Sequence, residues 1–246
     1  MLPKVLIAAP TANTKNYCFN DWINNISKFT YFNFDVALFD NTDDDGENTT
    51  YLNETYKKNY GTFGKFLCLK SKTNNEMDIM EKLAISHNDC KNYCIEQGYD
   101  YLLHLETDVF PETDAIERLL SFNKVLVGGL YYIDEGISRR LMAQQYIYRG
   151  FMQSKGVNFL PNDDSYFIDG SLKRVFHIGL GCMLIKQTIL NKIIFRTQKG
   201  IFQAPDGYFA QDCKAQGVPI YCDTSLICKH KNENWDKQLL KTNYKL

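Results

Sequence analysis

Glu106 and Asp108 stand on either side of Thr107, directly after the Leu-Leu-His-Leu run from Leu102 to Leu105. Two carboxylates this close raise one another's pKa, so the pair is costly to leave unneutralised. A hard divalent cation removes the conflict. Mg²⁺ and Mn²⁺ favour a few carboxylate oxygens completed by substrate phosphates. The plainer alternative is a solvated loop whose acid caps the next helix. Other ionisable residues carry weaker signals. Asp43, Asp44 and Asp45 read as a solvated loop, because a second metal site needs more converging ligands. His87 falls on the apolar face of a helix and His104 lies inside a strand, and both read as buried and neutral. His177 fits either packing or recognition. Lys82 reads as solvent-facing, with a phosphate contact as the alternative.

The acidic pair needs elements that hold it at a crevice. Lys4 to Ala9 form an apolar run that reads as a buried strand, turning at Pro10 and Thr11. Phe19, Trp22, Ile23 and Ile26 recur at helical spacing. Phe34 to Phe39 and Lys65 to Leu69 read as further strands, with Asp40 to Gly46 as a loop. Thr73 and Glu76 match a capping box for the helix that carries Met80, Leu83, Ala84, His87, Cys90 and Cys94. Gly98 is placed to stop that helix. Tyr101 to Leu105 is the fourth strand, and Pro111 suits a helix start. This rhythm predicts an α/β fold, a three-layer α/β/α sandwich around a mixed, mostly parallel sheet. Ligands in such sheets bind beyond the carboxyl ends of strands, where Pro10-Thr11, Asp40 to Asp45 and Glu106 to Asp108 all fall. In the second half, Val125 to Tyr131, Arg174 to Ile178, Cys182 to Ile185 and Val218 to Tyr221 read as strands. Asp206 reads as the cap of a short helix ending near Gln216, and the tail from Asn232 as a closing helix. Tyr131 to Phe151 is aromatic and basic, fitting either an acceptor surface or a hairpin with cross-strand aromatic pairs.

Composition narrows the class. The 246 residues carry a formal net charge of -1, which argues against a dedicated nucleic-acid binder. No apolar run reaches the ~20 residues of a membrane helix, and the N-terminal apolar stretch is too short for a signal peptide. A cytoplasmic protein is the expectation. The eight cysteines include no C-x-x-C pair, so free buried thiols are expected rather than structural zinc.

Several of these segments together resemble GT-A fold glycosyltransferases. Glu106-Thr107-Asp108 is similar to their D-x-D motif in an E-x-D variant, and Gly98 to Leu105 is similar to the segment leading into it. Val5 to Thr11 resembles their first, nucleotide-contacting strand, and Asp40 the acid that contacts the base. Ile178 to Lys186 resembles the Gly-containing strand near the sugar. Phe209 to Gly217 resembles the region of the E-D motif, here Gln211-Asp212, and His230 falls where a third metal ligand often stands. The resemblance implies one domain, with residues 1–123 binding a nucleotide sugar and 124–246 an acceptor. It implies Mn²⁺ or Mg²⁺ on Glu106, Asp108 and His230, with Glu106 alternatively on the ribose or a metal-bound water. Pro10, Thr11 and Asp40 would contact the nucleotide, and Asp212 would act as base in an inverting transfer. Asp206 could bond an acceptor hydroxyl. The donor that the resemblance implies is a nucleoside-diphosphate sugar, and the acceptor a glycan, lipid, protein or modified nucleobase. A sugar nucleotidyltransferase is the enzyme alternative, but it should carry a Gly-rich, Arg-containing loop where this chain has Pro10 to Lys15. A non-catalytic carbohydrate-binding module would not need the acidic pair.

Overall fold

Val5, Ile7 and Ala9 bury their side chains in one apolar core and Leu6 and Ala8 in another. A strand buried on both faces must sit inside a sheet covered on both sides. The computed structural model describes residues 2–59, 64–134, 139–149, 153–158, 164–199, 201 and 203–231. The first half runs β1 (Val5–Thr11), a 3-10 turn (Asn13–Lys15), α1 (Asn16–Ile26), β2 (Phe34–Asp40), α2 (Glu47–Asn59) and β3 (Phe66–Lys70). It continues through α3 (Ile79–Glu96), β4 (Tyr101–Leu105), β5 (Val109–Phe110) and α4 (Ala115–Ser121). The second half begins with β6 (Leu126–Leu130), β7 (Tyr132–Asp134), β8 (Arg139–Leu141), β9 (Ala143–Arg149), β10 (Gln153–Asn158) and α5 (Asp164–Phe167). Then come β11 (Leu172–Val175), β12 (His177–Ile178), β13 (Cys182–Lys186), α6 (Gln187–Leu190), α7 (Pro205–Ala215), β14 (Ile220–Ile227) and β15 (Lys229–His230).

Among the described residues the main sheet has eight strands in the order β11-β14-β6-β13-β4-β1-β2-β3. β1 pairs in parallel with β2 and β4, and β2 with β3. β13 lies antiparallel between β4 and β6, and β14 returns parallel to β6. The sheet is therefore mixed and mostly parallel, as the strand-helix rhythm requires. Trp22, Ile23 and Ile26 of α1 pack one face, and Cys90 and Cys94 of α3 pack the other. All eight cysteines are free and buried.

Several local expectations shift. β1 continues through Pro10 and Thr11, in register with Phe39 and Asp40. β4 pairs with β1 only as far as Ala8, so Pro10 sits where its missing N–H interrupts no bond to β4. The capping box is Asp78 with Glu81, not Thr73 with Glu76. The Asn74 side chain instead accepts from Glu76 N–H, making a turn that delays the helix. Pro111 precedes α4 without opening it; its carbonyl is taken by Asn25 at 3.1 Å. Arg174 to Ile178 split at Phe176, with β11 joining β14 and β12 joining β9 in a separate sheet. α2 was not foreseen, since only Asn48, Leu52 and Tyr56 are buried along its length. In the β9–β10 hairpin Tyr146 stands opposite Gly156 and Tyr148 opposite Ser154, and the Tyr146 ring meets Phe176 edge-on at 5.7 Å. The tail from Asn232, with Gly150 and Phe151, lies outside the described residues.

Candidate active site

The turn after β4 is tied down from three directions. Glu106 N–H donates to the Gly181 carbonyl at 3.1 Å, and Val109 N–H to the Glu106 carbonyl at 3.0 Å. Lys231 N–H donates to the Asp108 carbonyl at 2.9 Å. β5 and β15 form a short antiparallel ribbon with His230 opposite Val109. The ribbon explains how a residue from the end of the chain reaches the acidic turn.

Asp108 is fully buried, and its Oδ2 receives the Lys15 ammonium. His230 Nε2 stands 3.4 Å from the same oxygen. His230 Nδ1 lies 2.9 Å from the Tyr132 carbonyl. A carbonyl only accepts, so Nδ1 carries the hydrogen and the neutral ring turns the Nε2 lone pair toward Asp108. Asp108 Oδ1 and His230 Nε2 are both buried and without a hydrogen bond. A buried carboxylate oxygen without a hydrogen bond, beside an imidazole nitrogen turned to the same carboxylate, leaves room for a proton or a metal ion to satisfy them. Among the described residues no three His, Cys, Asp or Glu side chains form a ready metal cage. Asp108 and His230 supply two ligands, which suits an ion that completes its shell with phosphate and water. The residues present thus fit Mg²⁺ or Mn²⁺ in a shared site.

The charges are strongly perturbed. Burial and the neighbouring Asp108 push the Glu106 carboxyl up to about 7. Burial alone would raise Asp108 as well, but Lys15 and His230 hold it below the ordinary carboxylate range. Burial would lower His230, and the Asp108 carboxylate outweighs it and raises the ring's pKa. Lys15 is likewise kept above its usual value, Asp108 and Glu106 outweighing its burial. Within the pair, Asp108 is thus held toward its ionised form and Glu106 is pushed toward its protonated form.

Tyr131 joins these groups. Its ring meets His230 edge-on at 5.1 Å, and its hydroxyl accepts from Gly181 N–H at 3.3 Å. The burial of the phenol, together with Glu106, Asp206 and Asp108, raises its pKa, so the three acids face one buried ring. A Cβ at Gly179 would lie 2.0 Å from the Tyr131 hydroxyl, and one at Gly181 2.6 Å from the ring. Only glycine lets this turn close over the tyrosine.

Asp206 is not a helix cap. Ala204 occupies that position, Pro205 opens α7, and Asp206 follows in the first turn. Its Oδ2 lies 3.4 Å from His177 Nε2 and its Oδ1 accepts from Gly207 N–H at 2.7 Å. Burial would raise its pKa; His177 and the backbone N–H groups outweigh that and lower it. Asp212 lies six residues further along α7, about 240° around a helix of ~100° per residue. Arg196 forks onto both its oxygens at 2.8 and 2.9 Å and stacks on Tyr208. α7 therefore turns Asp206, not Asp212, toward Glu106.

The ends of β1 and β2 sit beside one another. Pro10 and Thr11 are buried, and the Thr11 carbonyl accepts from Asn41 N–H at 2.9 Å. Asp40 is fully buried, with Oδ1 accepting from Thr42 and Asn48 and Oδ2 from the Thr49 hydroxyl at 2.8 Å. Its carboxylate ties the loop to the start of α2. Lys82 pairs with Asp43, and Asp44 binds Lys70 and the Gly46 and Asn48 N–H groups, so the acidic loop is knitted internally. His87 Nδ1 and His104 Nε2 meet at 2.7 Å in the core, and His104 Nδ1 donates to the Leu180 carbonyl. Lys15 and Tyr131 had no distinguishing sequence pattern: one lies in a polar turn, the other in an aromatic-rich stretch.

No family model and no curated protein sequence matches the chain. Solved structures do match in fold. GalNAc-T7, determined with UDP, GalNAc and Mn²⁺, superposes with a TM-score of 0.63 at 11% identity, over 93% of this chain and 44% of that one. Residues 1–349 of S. aureus TarS superpose with a TM-score of 0.55 at 13% identity, over 97% of this chain and 63% of that one. The chain thus spans less than two thirds of either protein, and the likeness is one of architecture. The chain has the GT-A fold.

Proposed function

We propose that this chain is a metal-dependent glycosyltransferase, moving a monosaccharide from a nucleoside-diphosphate sugar to an acceptor hydroxyl with inversion. The observation that carries the reading is the buried Asp108 carboxylate at the carboxyl end of β4, with Oδ1 making no hydrogen bond and His230 Nε2 3.4 Å from Oδ2. On a GT-A sheet this is the rim where a diphosphate would lie. Asp108 and His230 would hold Mn²⁺ or Mg²⁺. Once bound, the cation would stabilise the charge that gathers on the leaving diphosphate as the glycosidic bond breaks.

The chain's own residues do the rest. Glu106, with its raised pKa, orients the donor as a hydrogen-bond partner for the ribose or for water in the cation's shell. Pro10, Thr11 and the loop organised by Asp40 bound the nucleotide side, within residues 1–123. Residues 124–246 would take the acceptor, whether glycan, lipid, protein or modified nucleobase. Asp206 is the better-placed base than Asp212, because it is ionised, faces Glu106 and has His177 beside it. It would accept the acceptor's proton as the new bond forms.

Thermal denaturation with Mn²⁺ and a panel of nucleoside diphosphates, UDP and GDP first, tests the reading. Ligands present at about a hundred times Kd should raise stability by ~2.7 kcal/mol, and only when metal and nucleotide are both present. A melting temperature indifferent to every combination would refute it.

A further inference from the structure

Lys15 delivers its ammonium to the buried carboxylate that the proposed reaction reserves for a metal ion. Its backbone is anchored. The residue closes the 3-10 turn and occupies the position before α1. Its N–H donates to the Ala12 carbonyl at 2.8 Å, and its own carbonyl accepts from the Cys18 thiol at 3.0 Å. Asn13 N–H is held by the Thr42 hydroxyl at 2.8 Å. From that base the lysine stem runs inward, with its side chain 25% exposed while Asp108 is at 0%. The ammonium covers Asp108 Oδ2, whereas Oδ1 has no hydrogen bond.

A divalent cation on Asp108 would stand beside this ammonium in a buried setting, where like charges repel most strongly. Asp108 is rooted in a turn fixed from three sides, whereas the lysine stem is flexible and partly exposed, so the ammonium is the group that moves. A diphosphate arriving with the cation brings phosphate oxygens to the same rim, and lysine binds phosphate as a point charge.

We infer that Lys15 is an exchangeable counter-ion: it neutralises Asp108 in the ligand-free chain and passes to the diphosphate when the cation takes its place. The inference rests on the metal-dependent reading above and deepens it. It makes Lys15 a competitor of the metal alone and an ally of the metal with diphosphate, so the two ligands bind cooperatively.

These opposite signs separate the idea from a structural role. Lys15→Gln and Lys15→Arg would be checked for native circular dichroism. Mn²⁺ binding would be read from the electron paramagnetic resonance of free Mn²⁺. Inorganic pyrophosphate, independent of the nucleotide base, would be titrated into Mn²⁺-saturated protein. Lys15→Gln should bind Mn²⁺ alone about tenfold more tightly and pyrophosphate about tenfold more weakly, the scale of a charged hydrogen bond. Lys15→Arg should stay near wild type in both arms. Two affinities that fall together, or neither moving, would overturn the inference and leave the metal reading intact. Absence of Mn²⁺ binding by the wild-type protein, with or without pyrophosphate, would overturn both. In wild-type protein labelled at lysine Cε, the Lys15 signal should shift on adding Mg²⁺ and again on adding pyrophosphate. A signal that stays still overturns the exchange even if the Gln variant does not fold.

Discussion

Gly179→Ala probes how closely the turn before β13 is pressed onto Tyr131. The added Cβ would sit 2.0 Å from the phenol oxygen, 2.8 Å from Cζ and 3.1 Å from the Met142 side chain. Real contacts of this kind do not fall below about 3.0 Å, so ring or turn must move. The ring has little room, since it is buried and meets His230 edge-on at 5.1 Å. Overpacking of this sort costs ~1–3 kcal/mol, which for a chain of this size lowers Tm by about 2–12 °C. Tyr131→Phe removes the atom nearest the clash but forfeits the long 3.3 Å bond from Gly181 N–H, at ~1 kcal/mol. The double variant should therefore be more stable than the sum of the single losses by ~1 kcal/mol or more. Urea denaturation of the four proteins measures this directly. Additive losses would show that the turn yields elsewhere and that Tyr131 does not brace it. The consequence reaches the site, because the Gly181 carbonyl holds Glu106 N–H.

Two further predictions separate groups that look alike in sequence. Asp206→Asn should retain nucleotide-dependent stabilisation by Mn²⁺ and lose at least 100-fold of transfer, the order expected for a general base. Asp212→Asn should cost under ~1 kcal/mol of stability, as a partly exposed ion pair does, and leave transfer near wild type; the reverse pattern would restore Asp212 as base. Glu106→Gln should change the pH dependence of folding. The folded pKa of Glu106 is raised to about 7 from an ordinary value of 4.5. Its contribution is thus fully present below 4.5 and is lost as pH rises through 7. The stability of Glu106→Gln relative to wild type should climb between pH 5 and 7, by at most ~1.4 kcal/mol per pH unit. A difference independent of pH across that window would show that Glu106 ionises normally.

The parts of the fold set by local pattern could be read from the chain. β4 has the predicted bounds, Tyr101 to Leu105, and α1 buries the apolar face formed by Phe19, Trp22, Ile23 and Ile26. Terminating signals were less decisive. Thr73 and Asp78 both precede an acid by three residues, and only the turn built by Asn74 selects the second. The site divides in the same way. Glu106 and Asp108 were evident because they follow an apolar strand. His230 meets Asp108 through a two-strand ribbon whose partners are more than a hundred residues apart, and spacing alone could not reveal that contact. Asp206 and Asp212 share one short helix, and only the rotation of α7 and the position of Arg196 show how different their surroundings are. Lys15 reaches the site through its long side chain from a polar turn, which leaves no periodic trace.

The central claim concerns a cation held between Asp108 and His230, and a crystal containing Mn²⁺ and a nucleoside diphosphate addresses it most directly. An anomalous difference map at the manganese edge should place one peak in contact with Asp108 Oδ1 or Oδ2 and His230 Nε2, touching the diphosphate, and absent in Asp108→Asn. A diphosphate bound elsewhere on the sheet, or a metal peak that persists unchanged in Asp108→Asn, would contradict the account.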